Sequence, residues 1–358
     1  MRSCLNPQAV PAPDLLRDLL RAAAPAGHEE PAAALWRAAA EVFATVTSDT
    51  LGTSFARVRA RSEGAPTLVL LGHIDEIGVV VTHIEGNGLV SFQTIGGMDP
   101  ELLVGQRVVL GGRDDEVEGL IVPRARRERG ERASLRREDL HIDIGARDGA
   151  EAGARLRPGD AGVWRGEPLD LPNGRIASKA LDNRLGAYAV LEAARRIAEE
   201  GGAALDVVAV ASVQEETGHS GARVAAYAIE PAVAIAVDVT WSTDVPGESA
   251  ERAGSIELGS GAAIGLGPVI NRRVSDLLLA VAEEEEIPHT TEVMGGRTQT
   301  DADDVHVARS GVPTGVVSLP VRYMHSPCEV ASLDDLEAVI ALMVAFARRL
   351  TPETSFLR

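Results

Sequence analysis

Four runs of the chain are apolar at nearly every position: residues 67–71 (TLVLL), 205–213 (LDVVAVASV), 233–237 and 314–319. The first sits between Pro66 and Gly72, and all four have strand length rather than helix length. A strand that alternates apolar and polar residues can leave one face in water, whereas a strand apolar throughout needs cover on both faces. The cover is present in the sequence. Residues 14–24, 30–43, 181–200, 273–286 and 333–350 carry apolar residues at helical spacing. Pro25 and Gly27 separate the first two, and Gly201-Gly202 ends the third. Strands interleaved with helices in this way predict an α/β fold, a mixed sheet covered by helices. With aromatic residues at only 3%, its core must come from Ala, Val, Leu and Ile.

The pattern breaks after the first strand. Residues 78–84, 88–94 and 106–110 are short alternating segments punctuated by Gly86-Asn87-Gly88 and Gly111-Gly112. Short strands at this spacing predict a small barrel or sandwich. A chain of 358 residues has room for a large domain and a smaller one. The expected division is a discontinuous α/β domain of residues 1–77 and 169–358, with 78–168 as an all-β insert. Residues 124–137 (RARRERGERASLRR) read as an exposed charged loop. An isolated basic run does not make a nucleic-acid binder of a chain with net charge −18. No apolar run approaches the length of a membrane span. Cys4 and Cys328 are too far apart for a disulfide framework or a zinc-knuckle spacing, and residues 1–13 lack a signal-peptide pattern. A cytoplasmic location is expected, with neither nucleic acid nor membrane as a partner.

The acids and histidines fall where such a sheet gathers ligands, outside the carboxyl ends of its strands. His73 and Asp75 follow the first strand, and Glu215 and Glu216 the second. Asp238 ends the third, and His325 follows the fourth by a few residues. Asp182 opens the long helix, where it could equally be an ordinary N-cap. Two imidazoles, several carboxylates and no thiolate suit zinc, cobalt or manganese. A catalytic ion commonly takes three protein groups, so this set over-supplies one metal and suits two that share a carboxylate. Asp182 is the expected bridge. Residues at i and i+2 of extended chain face the same side, so Asp75 can orient the His73 ring. Side chains of the adjacent Glu215 and Glu216 diverge, so one can ligate while the other acts as a base. His28, His83, His141 and His289 read as structural or surface residues, and His219 and His306 as surface or supporting ones. Asp301 could simply start a helix. Cys328 reads as a small buried residue.

Seven segments in order carry a family resemblance. They are Gly72 to Gly78 (GHIDEIG), Ile95 to Pro100 (IGGMDP), Leu181 to Arg184 (LDNR) and Gln214 to Gly218 (QEETG). Ala236 to Thr240 (AVDVT), Thr300 to Ala302 (TDA) and Pro320 to Ser326 (PVRYMHS) complete the set. Together they resemble the tetrahedral (glutamyl or deblocking) aminopeptidases, over roughly residues 15–350. The resemblance implies two divalent metal ions per subunit, zinc, cobalt or manganese. It implies His73 and Asp238 on one metal, Glu216 and His325 on the other, and Asp182 between them. It implies Glu215 as the general base and short peptides as substrates. It also implies that the insert is a PDZ-like dimerisation domain, and that subunits build hollow twelve-subunit tetrahedra from dimers. Some relatives bear an endoglucanase label. Two stretches depart from the family pattern, Ala26-Gly27-His28-Glu29 and Gly296-Arg297-Thr298-Gln299-Thr300, and both bear on substrate-pocket or loop details rather than on the metals. Two other functions stay open. A glycoside hydrolase would work with two carboxylates and leave His73 and His325 unexplained. A non-catalytic peptide-binding assembly protein would have no use for Glu215.

Overall fold

The protein is described by a computed structural model that covers residues 11–124, 134–251 and 253–357. Cys4 and most of the charged 124–137 run lie outside the described residues. The strands are β1 (Thr45–Ser48), β2 (Ser54–Val58), β3 (Thr67–His73), β4 (Gly78–Ile84), β5 (Val90–Ile95) and β6 (Arg107–Gly111). They continue as β7 (Glu116–Pro123), β8 (Leu140–Asp143), β9 (Ala161–Trp164), β10 (Leu169–Leu171), β11 (Arg175–Ser178) and β12 (Asp206–Ser212). The last five are β13 (Val233–Trp241), β14 (Ala262–Leu266), β15 (His289–Val293), β16 (Thr314–Arg322) and β17 (Glu329–Ser332).

Eleven strands form one mixed sheet, ordered β1-β2-β12-β3-β13-β16-β17-β11-β10, with β14 and β15 branching from β16. Its centre, β12-β3-β13-β16, is parallel and contains all four apolar runs. Both faces are covered, as strands without polar positions require. Leu68 and Leu70 enter the core beneath the helices Asp14–Arg21, Glu30–Ala40, Leu181–Glu199 and Leu333–Arg349. Val69 and Leu71 point the other way, into a smaller core shared with Ala222, Ala225 and Ala226 of the helix Ser220–Ile229. The helix Leu181–Glu199 presses very close to the sheet. A Cβ on Gly72 would stand 2.5 Å from the Gly186 carbonyl carbon, and one on Gly186 would stand 2.5 Å from the Val237 carbonyl oxygen. Only glycine permits this approach, which brings the start of that helix to the ends of β3 and β13.

The insert resolves to a closed antiparallel barrel, β4-β5-β8-β7-β6-β9, around Val79, Val81, Phe92, Leu110, Ile142 and Trp164. Because β4 pairs with both β5 and β9, no strand edge is left open, which a sandwich would not achieve. Several elements lie outside the sequence reading. The β1–β2 and β10–β11 hairpins and β17 are short, and β15 is not apolar throughout. Cys328 is exposed rather than buried, because it sits on the turn between β16 and β17, where its N–H donates to Ser326 Oγ at 3.2 Å. Among the described residues, no helix is long and apolar enough to cross a membrane.

Candidate metal centre

β3 ends on His73, which stands level with Ser212 of β12. On its other side the register pairs Leu71 with Ala236. Continuing that register by two residues sets Asp238 alongside His73. Asp238 lies inside β13 rather than at its end, because the ladder to β16 runs on from Asp238–Ser318 to Trp241–Val321. His73 Nε2 lies 3.1 Å from Asp182 Oδ1, 3.7 Å from Glu215 Oε2 and 3.8 Å from Asp238 Oδ1. On the far side of the ring, Nδ1 lies 3.3 Å from Asp75 Oδ1, though not aligned as a hydrogen bond.

Asp182 comes from the opposite element. It belongs to the segment Leu181–Glu199, yet φ −77°, ψ 106° at Asp182 and φ −123°, ψ 42° at Asn183 are not helical. The peptide between them is cis. The regular helix therefore starts after the pair, which corrects the expectation of Asp182 on the helix itself. The side chain spans two imidazoles, Oδ1 toward His73 and Oδ2 at 3.3 Å from His325 Nε2. His325 adopts φ 59° on the turn after β16.

The ligand-type atoms of His73, Asp182 and Glu216 all lie within 4.8 Å of one another, as do those of His73, Glu215 and Asp238. All five expected ligands and Glu215 line one cleft of about 730 Å³. Asp75 is fully buried, and its two oxygens accept from the backbone N–H groups of Glu215 and Glu216, at 3.2 and 3.1 Å. One carboxylate thus fixes both acids as well as facing His73.

Three further residues sit in the centre: Glu329, which the sequence reading did not single out, His219, read as a surface or supporting residue, and Asp301, read as a possible helix start. Glu329 is buried, and its oxygens accept from the backbone N–H groups of Asp182 and His325, each at 3.0 Å. His219 Nε2 lies 3.1 Å from Glu215 Oε1. Asp301 immediately precedes the short helix Ala302–Val305 without capping it through its side chain, which is buried against the Ser212 hydroxyl. The spacing of His219 four residues after Glu215 was the available signal for the second. His306 turns away, with Nδ1 2.9 Å from the Ala302 carbonyl.

Electrostatics follow from packing so many acids out of water. Burial first, then the Asp182 charge, pushes the Glu216 carboxyl well above the usual carboxylate range. Burial and the Glu215 charge do the same to Asp238. Burial, then Glu215, raises Asp301 to about 7. Asp182 goes the other way, because hydrogen bonds with His325 and His73 outweigh its burial. Burial opposes charge on His73, but Glu215, Asp182 and Asp75 together hold its pKa well above the ordinary imidazole value. Glu216 Oε1 is buried without a hydrogen-bond partner. A crowd of carboxylates short of positive charge, one of them with a buried oxygen that has no partner, is the donor set a divalent cation fits.

Comparison with known proteins agrees. The M42 glutamyl aminopeptidase family matches residues 52–342. A lysyl aminopeptidase of Pyrococcus furiosus is 36% identical over 319 residues, covering 87% of this chain and 89% of that protein. Among solved structures, a TET aminopeptidase from a marine sediment Thaumarchaeota archaeon superposes with TM-score 0.89 at 31% identity, covering 94% of this chain and 96% of that one. A Pyrococcus horikoshii TET peptidase, described as assembling into a tetrahedron or a large octahedral shell, superposes with TM-score 0.83 at 26% identity, covering 94% and 99%. This chain belongs to the M42 glutamyl aminopeptidase family, metal-dependent enzymes that hydrolyse peptide bonds.

Proposed function

We propose that the chain is a two-metal aminopeptidase that trims short peptides, with Asp182 bridging, His73 and Asp238 on one metal, and Glu216 and His325 on the other. The observation that carries this reading is the Asp182 carboxylate, which turns one oxygen to His73 and the other to His325. Divalent ions, zinc or cobalt by donor type and manganese by the same criterion, would polarise the scissile carbonyl and ease deprotonation of water. Glu215, held by Asp75, takes the proton of the attacking water and returns it to the leaving amine. Asp75 orients the His73 ring and keeps Nε2 turned to the cleft. A glycoside hydrolase would leave the paired imidazoles without a task.

Residues 78–168 are, in this reading, a separate dimerisation domain. The chain works as a homo-oligomer built from dimers, up to the twelve-subunit tetrahedron that the resemblance implies, in the cytoplasm. Support comes from the TET neighbours and from the insert forming its own closed sheet around its own apolar core. EDTA is expected to abolish hydrolysis of aminoacyl chromogenic substrates, and zinc or cobalt to restore it. Glu215→Gln is expected to abolish turnover while metal content per subunit stays unchanged. Full activity in that variant, or hydrolysis of a β-glucan by the EDTA-treated enzyme, defeats the proposal.

A further inference from the structure

The turn between β12 and the helix Ser220–Ile229 places a histidine against the proposed base. Its backbone is unusual: Gln214 and His219 both adopt left-handed φ, at 58° and 57°. A non-glycine residue is strained in that region and persists there where its surroundings over-determine it. What His219 gains there is position. Its Nε2 lies 3.1 Å from Glu215 Oε1, while the other oxygen of Glu215 faces His73. The opposite ring nitrogen, Nδ1, lies 3.5 Å from Asp304 Oδ2. Asp304 is buried on the short helix Ala302–Val305, and Arg223 anchors it from the next element, donating to Oδ1 at 2.7 Å. Four side chains from three segments therefore run in line from the cleft outward: Glu215, His219, Asp304, Arg223.

We infer that His219, steadied by Asp304, is a positioning residue for Glu215. A base oriented by an imidazole that is itself held by a carboxylate follows the logic by which a reacting group is fixed through its neighbours. Without His219, Glu215 Oε1 loses the contact that keeps Oε2 turned toward His73, and the carboxylate can rotate away from the attacking water. The two residues carry no ligand duty, so the metal set is left whole. The hydrogen bond with Glu215, then the charges of Glu215, Asp301 and Asp304, raise the ring's pKa against its partial burial and favour the form in which both nitrogens donate.

The inference rests on Glu215 being the base, and the experiment separates the two. His219→Ala, His219→Gln, Asp304→Asn and Glu215→Gln are purified and loaded with zinc. Metal content, melting temperature, kcat and KM are then measured on one aminoacyl substrate. His219→Ala is expected to lower kcat by about 10- to 100-fold, the usual loss when an orienting partner goes. KM and metal content should stay at their wild-type values, as when an interaction that acts only on the reacting step is removed. His219→Gln can still donate to Glu215 from its amide and is expected to recover part of the loss. Asp304→Asn is expected to lower kcat in the same direction, by less. A His219→Ala enzyme with wild-type kcat, beside an inactive Glu215→Gln, overturns this inference alone. An active Glu215→Gln overturns the underlying reading. Loss of kcat in His219→Ala that tracks loss of metal or of melting temperature, without rescue by Gln, overturns the inference about His219, in favour of a purely structural role.

Discussion

A single buried carboxylate ties the proposed bridge, Asp182, to His325, one of the two imidazoles that flank it. Glu329 holds the backbone N–H of Asp182 with one oxygen and that of His325 with the other. Glutamine at this position keeps one acceptor and turns an NH₂ toward the second N–H, which is then left unsatisfied in a buried place. Such a group costs about 1–3 kcal/mol, so Glu329→Gln is expected to lose that much in urea unfolding and to bind metal more weakly. Unchanged stability and unchanged metal titration would mean that the two amides are held by something else. The contrast with His73 explains what the sequence could reveal. His73, Glu216 and Asp238 were legible because each follows or ends an apolar run, and strand ends in such sheets converge. Glu329 was not, because it acts on backbone groups, and no spacing in sequence announces which amides a side chain will reach. His219 had a weak signal, its spacing from Glu215, and Asp304 had none, since the two meet only when separate helices pack.

The barrel is more than an appendage at the level of elements, because β5 runs out of it into the cleft. Gly96 follows β5 at φ 77°, and a Cβ there would stand 2.4 Å from Ile77 Cγ2 and 3.0 Å from Glu216 Oε2. Gly97 beside it would put a Cβ 3.4 Å from His325 Nδ1. Gly96→Ala is therefore expected to displace Glu216. A shift of order 1 Å at a reacting group costs about 10²-fold, and kcat/KM should fall by that order. Gly105→Ala is the control, since Gly105 has φ 83° but open space around its missing Cβ. It carries the same backbone strain without touching the cleft, and its kcat/KM should match wild type. Equal losses in both variants would mean that barrel strain, not contact with Glu216, is responsible. The parallel centre of the sheet was readable because strands buried on both faces must be apolar throughout. Barrel and sandwich could not be told apart, because closure depends on β4 pairing with β9 across a long stretch of chain. The edge hairpins were missed for the opposite reason: the Thr45–Ser48 strand is largely exposed, so no burial pattern is imposed on it.

Across the whole molecule the acid excess is both general, at net charge −18, and concentrated in the cleft. Without metal, the folded state binds protons more tightly there than the unfolded chain does. Burial and neighbouring charge raise Glu216, Asp238, Glu329 and Asp301, and the surrounding carboxylates raise His73. Asp182 alone among them is lowered. A raised carboxyl or imidazole contributes stability that is complete below its unfolded value and is lost as pH rises through the folded one. The metal-free protein should therefore become less stable from pH 5 to pH 8, by roughly 1.4 kcal/mol per pH unit for each extra proton the folded state retains. Divalent cations reverse the sign, because they bind the ionised carboxylates and neutral imidazoles that higher pH supplies. Binding to the folded state alone adds about 2.7 kcal/mol when free metal exceeds its dissociation constant a hundredfold. Melting temperatures of EDTA-treated and zinc-loaded protein, measured side by side across that pH range, are expected to diverge as pH rises. Parallel curves would show that the buried acids do not share their charge with a bound cation, and the two-metal reading would fall with them.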